Sequence, residues 1–323
     1  MRARCTTRRA SASGFPTIWK KPSRTEPSRA EPEAAELAGL RLSALTALLV
    51  LALSAGAGCP AAPPKRQAAA PRRVVALAPN LTEIVFAVGA GASLVGVSEF
   101  SDYPEAARSI PRVGGLEVSA ERVASLHPDL VLASQDGNAR GPVMALESAG
   151  IPVLAVSGGS LDAVIEGVRR VAARLGRGPQ GESLSAELSR RRDAVRARSA
   201  GRRRPRALLL VWPDPPQAAG RGTFLDDVLT EAGAENVLGG SAGWPTVSAE
   251  FLATASVDVL VIPESRPTRE AYERAFASGP LSRGAIAKAR VVRLPESPLT
   301  RPGPRVFDVL EQLERELTAR GGR

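Results

Sequence analysis

The chain is 323 residues long and 44% hydrophobic, with one His, two Cys, and 43 Lys and Arg against 33 Asp and Glu. That length supports one or two hydrophobic cores without cross-links, and two cysteines exclude a scaffold held together by disulfides. The formal charge of +10 invites a polyanionic partner, but where the charge lies decides that question.

Residues 1–40 are rich in Arg, Ser, Pro and Glu with no apolar period. Such a composition cannot bury enough surface to offset ordering, which predicts a disordered leader or an over-extended start. Arg41 and the run LSALTALLVLAL follow at 42–53. The run is short of the roughly 20 residues that cross a bilayer and has the length of a signal-peptide core. Small residues then lead into Cys59, and PAAPPKRQAAAPRR reads as a Pro/Ala-rich tether. This order resembles a bacterial lipoprotein signal, whose Cys is lipidated and becomes the mature N-terminus, although Gly56 stands where such signals carry Leu. Lipidation at Cys59, a cleaved secretory signal and an uncleaved anchor are the alternatives, and each exports the rest of the chain. The expected organisation is a leader with its signal at 1–58, a tether at 59–72, an α/β lobe at 73–178, a connecting helix at 179–204 and a second α/β lobe at 205–320.

Nine basic and four acidic residues precede Cys59, so the remainder carries 34 against 29. Nine Arg crowd between Arg190 and Arg206, with Asp193 as the single acid. No aromatic residue is interleaved there on which a base could stack, so a solvated helix face is expected and nucleic acid is not.

In chain order, RVVALA (73–78) predicts a strand, and NLTEIVFAVGAG a helix with Asn80 as N-cap and Glu83 completing a capping box. The glycines of GAGASLVG close that helix instead of opening one, which excludes a dinucleotide-binding loop. Strands follow at LVGVS, LVLAS (130–134), PVLAV (152–156), ALLLV (207–211), VLVIP (259–263) and RVVRL (290–294). Helical patterns separate them, the longest near 180–200. Short apolar strands alternating with helices predict an α/β fold: two Rossmann-like lobes with mostly parallel sheets, joined by one long α-helix.

One beat occurs twice. SAERVASLHPDLVLAS begins at Ser119 and SAEFLATASVDVLVIPES at Ser248, with Ser, Ala, Glu, Ala and Asp at the same spacing. In each, Ser can cap a helix, the Glu sits in the first turn, and the Asp ends the helix before a buried strand.

The stretch from RVVALAPNLTEIVF through SEFSDYPEAARSIPRVGGLEVSAERVASLHPDLVLAS resembles the first lobe of substrate-binding proteins that serve ABC importers of metal chelates, the cobalamin receptors among them. DPPQAAGRGTFLDDVLTEAGAENVL, GWPTVSAEFLA and RPGPRVFDVLEQL resemble the second. The resemblance covers about 72–318 and implies two lobes, little hinge closure, and a ligand in the cleft between them. It also implies an exposed Glu on each lobe that meets arginines of a membrane permease, at the positions of Glu121 and Glu250. Tyr103 and Trp244 match family positions that touch the ligand, with Asn138 and Arg301 as weaker candidates. Leu116, Ser134 and Gln217 stand where the cobalamin receptor has bulky aromatics, and Ser297 replaces an acidic rim residue. A corrinoid such as cobalamin is therefore the first expectation, with haem and ferric siderophores open.

No catalytic residue and no metal site is expected. His127 stands alone between a helix and a strand, no Cys follows Cys59, and Asp226 and Asp227 point apart on one helix. An enzyme and a lipid-anchored scaffold are the rival classes. The expected partners are a metal chelate, an inner-membrane ABC permease and the membrane itself through a lipid anchor, with a monomeric protein in the periplasm or cell envelope and no cofactor.

Overall fold

The computed structural model describes residues 70–115 and 117–319. The leader, the apolar run, Cys59, most of the tether and Leu116 lie outside the described residues.

The first lobe comprises β1 (Val74–Ala76), α1 (Pro79–Ala87), β2 (Leu94–Val97), α2 (Ala120–Ser125), β3 (Leu130–Ser134), α3 (Arg140–Ser148), β4 (Val153–Val156) and α4 (Leu161–Arg174). Its four strands are parallel in the order β2-β1-β3-β4. All five residues of β3 are buried, as an unbroken apolar strand covered on both faces requires. The helix α5 (Gly178–Ser199) follows. The second lobe comprises β5 (Arg206–Pro213), β6 (Pro216–Ala218), α6 (Phe224–Glu231), β7 (Glu235–Asn236), α7 (Ala249–Thr254), β8 (Val259–Glu264), α8 (Arg266–Ala277), β9 (Arg290–Pro295), α9 (Glu296–Thr300) and α10 (Val306–Thr318). Its sheet runs β6-β5-β8-β9 with β7 also on β5, and only β6 is antiparallel. The two sheets are separate, so the fold is α/β with two lobes.

One hydrophobic cluster runs from the first sheet through Val168 and Val171 of α4 and Leu188 and Val195 of α5 to Leu209 and Val261 of the second sheet. The outer face of each sheet has its own smaller cluster. Helices α4 and α5 cross in close contact: a Cβ at Gly181 would lie 2.3 Å from the Ala172 Cβ, so only glycine fits there.

The basic run on α5 departs from the expected solvated face. Arg191 pairs with Asp308 and Glu311 of α10 at 2.6 and 2.8 Å, Arg192 with Asp162 of α4, Arg196 with Glu231 of α6, and Arg198 with Glu314 of α10 at 2.9 Å. Arg202, just beyond the helix, reaches the same Glu314 at 3.1 Å. The acids lie far from the run in sequence, so a local reading could not supply them. Asp227 of α6 adds a further tie, its carboxylate accepting from the first amide of α4 at 2.9 Å. Asp226 turns the other way, to Gly222 and Asn236.

Helix α1 also differs from expectation. It starts after Ala78, with Pro79 in the first turn, where its missing N–H costs nothing. Asn80 lies inside the helix rather than capping it, and Glu83 faces the second lobe.

The repeated beat resolves into two devices. Ser119 and Ser248 cap α2 and α7, each hydroxyl accepting from the amide three residues on at 3.1 Å. At the amino ends of the strands that follow, Asp129 accepts from the Arg72 and Arg73 amides at 2.9 and 3.0 Å, and Asp258 from the Arg206 amide at 2.9 Å. Each Asp thus stitches the start of one parallel strand to its neighbour.

Glu314 is 3% exposed between two guanidinium groups. Burial opposes its ionisation, but the bonds from Arg198 and Thr318 and the charges of Arg198 and Arg202 outweigh it, leaving the pKa below the ordinary 4.5. The bond from Arg191 likewise lowers Glu311. Because the folded-state values are depressed, this stabilisation is present above about pH 4.5 and is lost as pH falls through the folded values. Glu314→Ala is expected to cost about 1–3 kcal/mol at pH 7, the arginines being half-exposed. Denaturant unfolding should show that gap closing toward pH 3.

Candidate functional site

A cleft of about 470 Å³ opens between the lobes where the strands end. Leu77 after β1, Ser98 after β2 and Ser134 at the end of β3 line it from one side; Val211 of β5, Gln217 of β6 and the loops carrying Trp244 and Arg301 line it from the other. The carboxyl ends of strands in open α/β sheets are where ligands settle, because there the backbone leaves the sheet and side chains converge.

Of the residues singled out from sequence, Ser134, Asn138, Gln217, Trp244 and Arg301 line the cleft. Trp244 is half-buried, steadied by Phe224 in an edge-to-face contact with centroids 6.2 Å apart. Asn138 is buried and occupied: its carbonyl accepts from the Ser134 amide at 2.8 Å and its amide donates to the Leu77 carbonyl at 3.0 Å. It ties the ends of two neighbouring strands together and so shapes the cleft floor.

Tyr103 is not among the cleft-lining residues. Its ring lies under the Arg305 guanidinium, 4.0 Å from centroid to carbon, in a smaller cavity of about 330 Å³ beside α1 and α5. His127 is exposed, is not among the cleft-lining residues, and has a left-handed backbone at φ 45°. Glu121 and Glu250 are both exposed, one on each lobe, in the first turns of α2 and α7. Its own backbone amide and the Ser119 hydroxyl lower the pKa of Glu121, so it is charged at neutral pH.

Between the cleft and that smaller cavity lies a charge cluster that joins the lobes. Glu83 of α1, 3% exposed, accepts from Nε and Nη2 of Arg305 in a bidentate pair and lies 3.6 Å from Arg301. Asp102 pairs with Arg301, and Arg305 also donates to the Ser297 hydroxyl at 2.9 Å. The Asn80 amide reaches across to the Pro302 carbonyl at 3.2 Å. Burial works against ionisation of Asp102, but the bond and charge of Arg301 overcome it and hold the pKa below the ordinary value. Two carboxylates therefore meet two guanidiniums, and the cluster is neutral.

Sequence reasoning missed Glu83, Asp102, Phe100 and Asp136. Glu83 carried a signal, an acid inside the mostly apolar run LTEIVFAV. Phe100 lines the cleft while 49% exposed. Asp136, also in the lining, accepts from the Gly158 amide at 2.6 Å.

Among the described residues that line the cleft, none is His, Cys, Met, Tyr or Lys, and Arg301 is the one cation. Among the described residues no group of three or more His, Cys, Asp or Glu could hold a metal ion, and no helix is long and apolar enough to cross a membrane. The site can enclose a molecule with apolar faces and offer hydrogen bonds at its rim.

Comparison with known proteins agrees with this geometry. The profile of the periplasmic binding protein family matches residues 74–298. The vitamin B12-binding protein of Salmonella typhimurium is 32% identical over 247 residues, covering 76% of this chain and 89% of its own length. Among solved structures, the vitamin B12 binding protein BtuF of Vibrio cholerae superposes with a TM-score of 0.69 at 25% identity, covering 78% of this chain and 99% of its own. The heme-binding protein RhuT of Roseiflexus sp. RS-1 gives 0.69 at 28%, covering 77% and 99%. With two α/β lobes, a cleft at their strand ends and a profile match across both, the chain belongs to the periplasmic binding protein family, whose members are exported binders and not catalysts.

Proposed function

We propose that the protein is the substrate-binding component of an ABC importer, capturing a corrinoid in the inter-lobe cleft and delivering it to a membrane permease. One observation carries the choice of cargo. The cleft offers aromatic surface but, among its described lining residues, no side chain suited to an axial bond to iron and no cation left over for carboxylates, since Arg301 is matched by Asp102 and Glu83. A corrinoid brings its own axial ligands and a periphery of amides, which hydrogen-bond to neutral groups such as Ser134, Gln217 and backbone N–H. Haem carries two carboxylates and an open iron. It is the second reading, favoured by the heme-binding structural neighbours.

In this reading Trp244 supplies an apolar face, Gln217, Ser134 and Arg301 the polar rim, and Asn138 the floor. Glu121 and Glu250 dock the two lobes on a two-fold permease, a use of charge that sets orientation and encounter rate more than affinity. The protein works as a monomer, tethered through a lipid on Cys59.

Cyanocobalamin at a hundredfold excess over its dissociation constant is expected to raise Tm by about 5–10 °C and to quench tryptophan emission, with Trp244→Phe removing most of the quenching. A larger shift with haemin at matched concentration would overturn the corrinoid assignment. Lysine at both Glu121 and Glu250 should abolish uptake in cells while the dissociation constant stays within about twofold of wild type; normal uptake by that double variant would remove the docking role.

A further inference from the structure

Two of the described residues that line the cleft carry charge, Arg301 and Asp136. Asp136 is bonded within its own lobe, one oxygen accepting from the Ser157 hydroxyl at 3.0 Å and the Gly158 amide at 2.6 Å. Arg301, 17% exposed, is matched from outside the lining. Its Nη1 donates to Asp102, a first-lobe residue that does not itself line the cleft, and lies 3.6 Å from Glu83. Glu83 is the weaker of these two partners, because Nε and Nη2 of Arg305 already hold its carboxylate. Asp102 is therefore the group that cancels the cation at the rim.

The position of Asp102 is fixed by its neighbours. Ser101 is fully buried, its hydroxyl against Thr82 of α1 at 2.8 Å and its carbonyl accepting from Arg112 at 2.7 Å. Arg108 donates to the Asp102 carbonyl at 3.3 Å. The carboxylate is thus held where Arg301 reaches it from the other lobe. With that cation cancelled, the described lining keeps no positive charge for an anion, and Asp136 adds a negative one. A carboxylate entering the cleft gives up water without gaining a counter-ion, whereas an amide gives up less and finds partners among neutral groups.

We infer that Asp102 is a specificity-determining residue: from outside the cleft it masks Arg301, so that the site rejects cargo with peripheral carboxylates and accepts the same ring system bearing amides. The inference rests on the reading of the cleft as a chelate site. It assigns selection to a residue that acts through Arg301 and lies outside the lining.

The test is titration calorimetry on the full exported chain with cyanocobalamin and its b-, d- and e-monocarboxylic acids, in each of which one peripheral propionamide is hydrolysed to a carboxylate. Wild type is expected to bind each acid about tenfold or more weakly than the parent. Asp102→Asn keeps the shape and an acceptor for Arg301 but removes the charge, and the ratio of acid to parent dissociation constants should fall below about threefold for at least one acid. Adding Arg301→Gln to that variant should restore the wild-type ratio. The ratio decides, because a merely loosened joint weakens parent and acids alike. Where Asp102→Asn does not fold, Asp102→Ser takes its place. Wild type that binds all three acids within about twofold of the parent, or ratios that stay within about twofold of wild type for all three in Asp102→Asn, overturns the mask while the proposed function stands. If cyanocobalamin does not bind, haemin and its dimethyl ester repeat the comparison. A gain of haemin over its ester in Asp102→Asn then keeps the mask and defeats the corrinoid reading, and failure of both to bind defeats the two together.

Discussion

Arg191, Arg192, Arg196 and Arg198 project from a single helix and meet carboxylates carried by three other elements: α4 of the first lobe, α6 and α10 of the second. That set of ion pairs is the constraint from which the rest follows. Isolated surface pairs contribute little, but a linked network around partly buried partners orients helices that would otherwise slide on a smooth apolar seam. The apolar seam itself continues through α4 and α5 into both sheets, so the lobes share one core instead of touching across a wet interface. Two separate parallel sheets are thereby set with their carboxyl ends facing one gap.

The gap inherits its chemistry from that placement. On its rim the lobes touch again through Glu83, Asp102, Arg301 and Arg305, a second polar joint. A buried carboxylate with a bidentate guanidinium partner is costly to separate, because either group alone would be left poorly solvated. The joint holds Arg301 at the rim, and apart from Asp136 the rest of the described cleft lining is uncharged hydrogen-bonding groups and apolar or aromatic side chains. Shape and polarity together favour a large, flat, mostly neutral cargo.

The order of strands and helices was legible because burial on both faces writes itself as short apolar runs, LVLAS and VLVIP among them. The long helix was legible from its formers and length. The role of its arginines was not, since Asp308, Glu311 and Glu314 come from more than a hundred residues away. The same limit hid Glu83, which looked like half of a capping box until Arg305 of the other lobe was seen against it. Tyr103 was visible as a loop aromatic, yet periodicity cannot say on which side of a charge cluster a ring will fall; Phe100, three residues earlier, was the one left facing the cleft. The repeat at Ser119 and Ser248 was plain as a pattern, and its Asp was plain as a helix terminator, but the stitching of strand starts by Asp129 and Asp258 needed the sheets themselves.

The pairing of Arg301 and Arg305 with Glu83 and Asp102 bears on how cargo arrives. Two positive and two negative groups packed within a few ångströms largely cancel, so this joint adds little field at the rim of the cleft, and Asp136 is the charged lining residue outside it. Added salt therefore finds little in this joint to screen.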